Sequence, residues 1–317
     1  MTAIAHADGA FRHDLVLHDG PAELVDLMVP FVREGAAAGD HVILLGEPDF
    51  VDAIASAVPE ALLDMIAERP DERFPARDLH RAQQTLGRLD GSAAGARIVN
   101  QMPAMTDQQW LGWRRYEAAA NVALARFRAW GKCAHDVAAL DPRRLAELRA
   151  LHPFVQSGAD SVPNADFDGV GARVDRFFDV PRHPALDTVP TLSMLAPAAG
   201  AARGAVRDLA VRAGLSPTAQ ESVILATSET VTNGWVHGRP PVVLRAWAGP
   251  GRLTVAVSDG GAGPDPLAGM VAQTAQAVSG RGLWLVHLLI PEVHHRRGED
   301  GYTITFSVDS GTAVTAG

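Results

Sequence analysis

A single cysteine, Cys133, stands in 317 residues, which excludes an intramolecular disulfide and suits a reducing compartment. The opening MTAIAHADGA lacks the basic stretch and apolar core of an export signal. No run nears the roughly 20 apolar residues of a membrane helix, so a cytoplasmic protein without a membrane partner is expected. Clustered Lys and Arg are also missing, and the formal net charge of −9 argues against direct nucleic-acid binding, which depends on neutralising phosphates. The charges are interspersed, with no acidic tail. At 47% hydrophobic residues the chain can pack cores, and its length suits two domains.

Three chemical arrangements are absent as well. Gly46-Glu47-Pro48 follows an apolar run but lacks the glycine spacing and the Lys-Ser/Thr of a phosphate loop. No set of nucleophile, base and orienting acid is visible, which disfavours an ordinary hydrolase. No helical hairpin with a phosphoacceptor histidine precedes the C-terminal third, and His80, His152 and His183 sit in unsuitable surroundings for that role.

What is present is concentrated between residues 218 and 306. Thr218 to Val236 repeats apolar residues at helical spacing, with Pro217 placed to open the helix. Glu229 and Asn233 lie four residues apart and project from one face. An amide oxygen there can serve Mg²⁺, which takes hard oxygen donors, and the carboxylate can orient or deprotonate a hydroxyl. The pair alone fits a solvated helix face better. Pro241 to Trp247 and Arg252 to Ser258 read as strands joined by a turn at Ala248-Gly249-Pro250-Gly251. Asp259 therefore ends a strand, where it can accept the exocyclic amine of adenine, while Gly260, Gly261 and Gly263 allow close backbone approach. Gly280, Arg281, Gly282 and Leu283 open an apolar helix whose free N–H groups can meet a phosphate.

These motifs, in this order, resemble the ATPase domain shared by gyrase, Hsp90 chaperones, histidine kinases and MutL, and most closely its anti-sigma-factor serine/threonine kinase branch. The resemblance covers about residues 199 to 308 and implies an α+β sandwich of the Bergerat type. It implies ATP and Mg²⁺ as cofactors, Glu229 as catalytic base and Asn233 as Mg²⁺ ligand. Asp259, Gly261 and Gly263 would then bind adenine, Gly280, Arg281, Gly282 and Leu283 would lie by the phosphates, and Thr303 would stand near the adenine. Residues 264 to 279 would form a lid. Gly234-Trp235 departs from the Ala and smaller residue usual after the Asn.

Strands and helices alternate in the first half. Apolar runs at Phe11 to Leu17 and His41 to Leu45 flank a helix from Pro21 that Gly35 can end. A helix from Phe50 to Ala67, a strand near Arg97 to Asn100, a helix near Gln108 to Arg126 and a strand near Phe127 to His135 follow. Asp141-Pro142 caps the helix Arg143 to Leu151. Such alternation predicts a mostly parallel, doubly wound sheet. The segments Val29 to Gly35 with Ala38-Gly39-Asp40, Tyr116-Glu117-Ala118 with Asn121, Cys133 to Asp136, and His152-Pro153 resemble the MEDS sensory domain, which has a RecA-like fold without the nucleotide loop. Glu117 and Asn121 repeat the Glu-x-x-x-Asn spacing without glycine boxes and read as a helix-face contact. Cys133 reads as a small buried hydrophobe with redox sensing as the alternative, and His135-Asp136 as structural or as binding a metal or signal molecule. His287, His294 and His295 show no metal spacing and read as solvated or core residues.

The expected organisation is a sensory domain over 1–156, a linker over 157–197 rich in Pro, Gly and Asp, and the ATPase domain over 198–317. The resemblances together imply a sensor-controlled protein kinase that phosphorylates Ser or Thr of a STAS-type anti-anti-sigma antagonist, binds a sigma factor and forms a homodimer. Two alternatives stay open: a non-catalytic ATP-gated binding switch, and an atypical histidine kinase acting on a separate His-bearing protein.

Overall fold

The β-rich, glycine-punctuated stretches of this chain assemble into two separate sheets. The computed structural model describes residues 11–58, 65–68, 74–89, 94–169, 174–178, 180–271 and 281–311. It divides into two compact units, with the last boundary between Arg173 and Val174.

The first unit is built on β1 (Arg12–His18), β2 (His41–Leu45), β3 (Met65–Glu68), β4 (Ala96–Gln101), β5 (Ala129–Asp136), β6 (Phe154–Ser157) and β7 (Asp160–Pro163). Their spatial order is β3-β2-β4-β5-β1-β6-β7. All neighbours are parallel except the β6–β7 hairpin, so the sheet is mixed. The helices between strands are α1 (Pro21–Ala37), α2 (Pro48–Ala57), α3 (Pro75–Leu89), α4 (Asp107–Ala123) and α5 (Pro142–Leu151). Strand side chains alternate between faces. Val16, Val42, Leu44, Val99 and Ala134 share one core with Leu24, Met28 and Phe31 of α1 and Phe50 and Ile54 of α2. The opposite face carries His13 and Cys133, and it is met by Glu117 of α4 and His152, which caps α5. Helices on both faces give the doubly wound arrangement.

Two local expectations are corrected. The helix expected over 50–67 stops at Ala57, and Met65–Glu68 is a strand. Val58 precedes a proline and takes extended dihedrals of −115° and 133°, the conformation that a following pyrrolidine ring enforces. Gly35 does not end α1. The helix runs to Ala37, and Gly39, at φ +79°, lets the chain leave it. Gly35 is small for another reason: a β-carbon there would lie 2.3 Å from the Arg97 side chain, which pairs with buried Asp40 at 2.9 Å.

The second unit holds a five-stranded sheet in the order β11-β12-β10-β9-β8. Its strands are β8 (Leu192–Leu195), β9 (Val243–Gly249), β10 (Arg252–Asp259), β11 (Glu292–Gly298) and β12 (Gly301–Asp309), and every pairing is antiparallel. Helices α6 (Ala199–Arg212), α7 (Pro217–Val236) and α8 (Arg281–Leu289) cover it. Val206 and Leu209 of α6, Val223 and Val231 of α7 and Val286 of α8 pack in one core with Val255, Val257, Ile304 and Phe306. The stretch 157–197 holds regular structure within it: β7 edges the first sheet and β8 edges the second. No helix among the described residues is long and apolar enough to cross a membrane.

Candidate functional site

Helix α7 supplies one wall of a cavity of about 410 Å³ in the second unit. Ser216 caps the helix by accepting the Ala219 N–H at 3.3 Å, and Pro217 takes the first helical position. Ala219, Val223, Ala226, Thr230 and Gly234 face the core at helical spacing. That registration leaves Glu229 and Asn233 half-buried on the adjoining row.

Asn233 reaches the cavity directly. Glu229 lies beside the start of α8: a β-carbon on Gly282 would fall 2.4 Å from Glu229 Oε2. Glycine at 282 therefore permits the carboxylate and the helix start to share one corner. Gly282 and Leu283 line the cavity, and Arg281 is exposed at the head of α8. Gly280 and most of the expected lid, 272–279, lie outside the described residues.

Strand β10 delivers Asp259 to the cavity beside the C-terminal end of α7, where it is only 8% exposed. Its Oδ1 accepts the Gly261 N–H at 2.7 Å and the Arg239 N–H at 3.2 Å, leaving Oδ2 as the acceptor for a ligand donor. The backbone must come this close to satisfy the carboxylate. A β-carbon on Gly261 would sit 2.7 Å from Oδ1, and one on Gly238 2.4 Å from the same atom. Gly263 has φ +77°, and a β-carbon there would lie 2.5 Å from the Tyr302 ring. Arg297 holds the loop that follows by donating to the carbonyls of Ala262 and Pro264. Gly234, the departure noted in the sequence, faces Val242 with room for a β-carbon only at 3.2 Å from its methyl.

The structure does not bring Thr303 to this cavity. Asp259 is opposite Tyr302 and Val257 opposite Ile304, and these four share the cavity face. Thr303 falls on the other face of β12, hydrogen-bonded to Ser258 at 2.9 Å between hydroxyl oxygens. Period-two alternation decides this: once Asp259 faces the ligand, its partner's neighbours cannot. Tyr302, Ile304, Val257 and Gly238 were missed in the sequence, although the alternation outward from Asp259 carried the signal for Val257. Behind Tyr302, its hydroxyl meets His295 Nδ1, and His295 Nε2 lies 2.8 Å from His287 Nε2. Burial holds both imidazoles well below their ordinary pKa and raises that of the Tyr302 phenol. The histidines are thus neutral core residues supporting the cavity wall.

These residues fit a purine nucleotide carried with a hard divalent cation. Val257, Ile304 and Leu283 offer apolar walls for a flat base, Asp259 an acceptor at its edge, and Asn233 an amide oxygen of the kind Mg²⁺ takes. Gly282, in the first turn of α8, brings the helix N-terminus, the end that favours anions, to the cavity. Fold and cavity together define a nucleotide-site class of domain, joined to a doubly wound α/β domain.

Residues 12–153 match the family model of MEDS, the MEthanogen/methylotroph, DcmR Sensory domain, and residues 193–308 match that of the histidine kinase-like ATPase domain. The chain joins a MEDS domain to a histidine kinase-like ATPase domain. A solved structure similar to part of it is the crystal structure of the RsbU and RsbW domains of Rv1364c from Mycobacterium tuberculosis, at 24% identity and a TM-score of 0.27. The similarity covers 38% of this chain and 32% of that one, so the chain spans about a third of the solved chain's length. No curated protein matches the chain.

Proposed function

We propose that the chain is an ATP-dependent regulatory protein kinase of the anti-sigma-factor type, governed by its MEDS domain. One observation carries the reading: Asn233, Asp259, Gly263 and Gly282, predicted from separate motifs, line a single cavity, with the Glu229 carboxylate against Gly282 at its corner. The acceptor is the Ser or Thr hydroxyl of a STAS-type antagonist, and the sigma factor is the alternative partner of the same domain, which acts as a homodimer.

In this mechanism Asp259 fixes the base through the adenine amine, and Leu283, Val257 and Ile304 exclude water from its faces. Asn233 would hold Mg²⁺, which supplies neutralisation of the phosphate charge when bound with ATP. Gly282 and the α8 N–H groups orient the terminal phosphate. Glu229 orients the incoming hydroxyl and accepts its proton as the new O–P bond forms and the bridging P–O bond to ADP breaks. Phosphorylating the antagonist would free the kinase to hold its sigma factor.

The test is incubation of the full chain with Mg²⁺, γ-labelled ATP and candidate STAS-type proteins, with Glu229→Ala as control. Acid-stable label on an antagonist, lost in the variant, supports the reading. Acid-labile, base-stable label would point to a histidine acceptor. Tight ATP binding without transfer, with partner affinity equal in ATP and a non-hydrolysable analogue, would favour a nucleotide-gated switch.

A further inference from the structure

The MEDS unit buries five side chains of metal-binding type that the nucleotide chemistry does not use. His13 lies on β1, and Cys133 and His135 on its parallel neighbour β5. Leu15 is opposite Cys133 and Leu17 opposite His135, so alternation places all three groups on one face of the sheet. Glu117 reaches that face from α4 and His152 from the end of α5. Glu117 Oε2 is 3.4 Å from His13 Nε2 and 3.3 Å from His152 Nε2, and Oε1 is 3.6 Å from His135 Nε2. Cys133 Sγ is 3.1 Å from His13 Nε2. All five residues are at most 5% exposed, and neither Glu117 oxygen has a hydrogen-bond donor, nor do His135 and His152 Nε2 have a partner.

The outer contacts fix the tautomers. His152 Nδ1 is 2.8 Å from the Leu148 carbonyl, which only accepts, so Nδ1 carries the proton. Asn121 spends its amide nitrogen on the carbonyls of Glu117 and Leu151. Its Oδ1 therefore faces His13 Nδ1, at 3.1 Å, and that nitrogen donates as well. His152 then aims an unpartnered Nε2 lone pair at the dry carboxylate oxygen, and His13 Nε2, which takes the Cys133 thiol, turns its lone pair to the same place. Lone pairs and an anion facing one another at 3.3–3.4 Å repel. A cation among the lone pairs removes the conflict.

We propose that His13 Nε2, Cys133 Sγ, His152 Nε2 and one carboxylate oxygen of Glu117 bind a zinc-class divalent transition metal. The four donors all lie within 4.8 Å of one another. Ligands on a tetrahedral zinc at about 2.0–2.3 Å stand roughly 3.3–3.7 Å apart, so the cluster closes around the ion with small movements. A thiolate and two imidazoles select such a metal over Mg²⁺ or Ca²⁺. Binding replaces the thiol proton, which leaves to solvent as the metal loads. His135 then serves the second Glu117 oxygen, while Asn121 and the Leu148 carbonyl orient the two ligating rings. The site lies between β1, β5, α4 and α5, so its occupancy bears on the packing of the sensory domain.

The test uses the full chain and the metal alone. Metal analysis of the purified protein is expected to find stoichiometric zinc that survives dialysis. After chelation, Co²⁺ is expected to bind as a single equivalent with a thiolate-to-cobalt charge-transfer band, which zinc then displaces. Cys133 is the only cysteine, so on wild-type protein that band has one possible source. Cys133→Ser should abolish it, and His135→Gln should weaken zinc binding about 10- to 100-fold. A folded wild-type chain that retains no zinc and gives no band, or an equal band in Cys133→Ser, overturns the proposal.

Discussion

Replacing Asp259 with Asn changes one atom at the base-reading position and reverses its hydrogen-bonding sense. The side chain is 8% exposed, so water cannot compensate inside the cavity. Asn Oδ1 can keep the N–H groups of Gly261 and Arg239, now without charge, at a stability cost of about 1 kcal/mol. The remaining position becomes an NH₂ facing the adenine amine, donor against donor. A hydrogen bond to a charged group contributes about 1.5–3 kcal/mol, so ATP affinity should fall roughly 10- to 150-fold. Inosine triphosphate carries an acceptor where ATP has the amine, so its disadvantage relative to ATP should shrink or reverse in the variant. Equilibrium titration of both nucleotides against both proteins reads the four affinities, with thermal melting as the folding control. Equal ATP affinity in folded wild type and variant, or an unmoved ATP-to-inosine ratio, would refute the assignment of Asp259 to the base.

Other perturbations separate the roles around it. Glu229→Ala should lower phosphoryl transfer by about 10²- to 10⁴-fold while largely sparing ATP affinity, measured by single-turnover label transfer beside equilibrium binding. Gly282→Ala places a β-carbon 2.4 Å from Glu229 Oε2 and displaces that carboxylate, so transfer should fall while urea stability changes by no more than about 1 kcal/mol. Gly263→Ala combines φ +77° with a 2.5 Å approach to Tyr302 and should cost about 2–4 kcal/mol by denaturant unfolding. Lys132, the only lysine of the chain, is brought down to about 8 by burial, from 10.5. Between those values the unfolded chain binds more protons at this site, so the contribution of Lys132 to stability should rise from pH 7 towards pH 10 by about 2–3 kcal/mol, against a falling contribution from the buried Cys133 thiol. Urea unfolding of wild type and Lys132→Met across that range should show the stability difference between them shift by that amount in favour of wild type.

The second unit was legible where chemistry and local geometry share a short segment. Ser216-Pro217 announces α7, and Gly251, at φ +69°, marks the turn between β9 and β10. Asp259 and its glycines are adjacent because the carboxylate is satisfied by backbone two residues away. Thr303 was misplaced because the face of β12 follows from its pairing with β10, which spacing within β12 does not reveal. Gly238 was overlooked for a related reason: its smallness answers to Asp259, which comes from another strand. In the first unit, Val58 before Pro59 held the signal that ends α2, but the apolar run around it masked the break. Glu117 reads from spacing only as a helix-face contact with Asn121, and its burial among histidines comes from other elements. That cluster draws on β1, α4, β5 and α5, and only the parallel pairing of β1 with β5 brings its members together.

The most direct measurement of the central claim is amide hydrogen exchange on the full chain with and without Mg²⁺ and ATP. New protection is expected at the C-terminal half of α7 through Gly238, at 259–264 and at the start of α8. Unchanged exchange in those three segments under saturating nucleotide, or protection confined to the MEDS sheet, would contradict that claim.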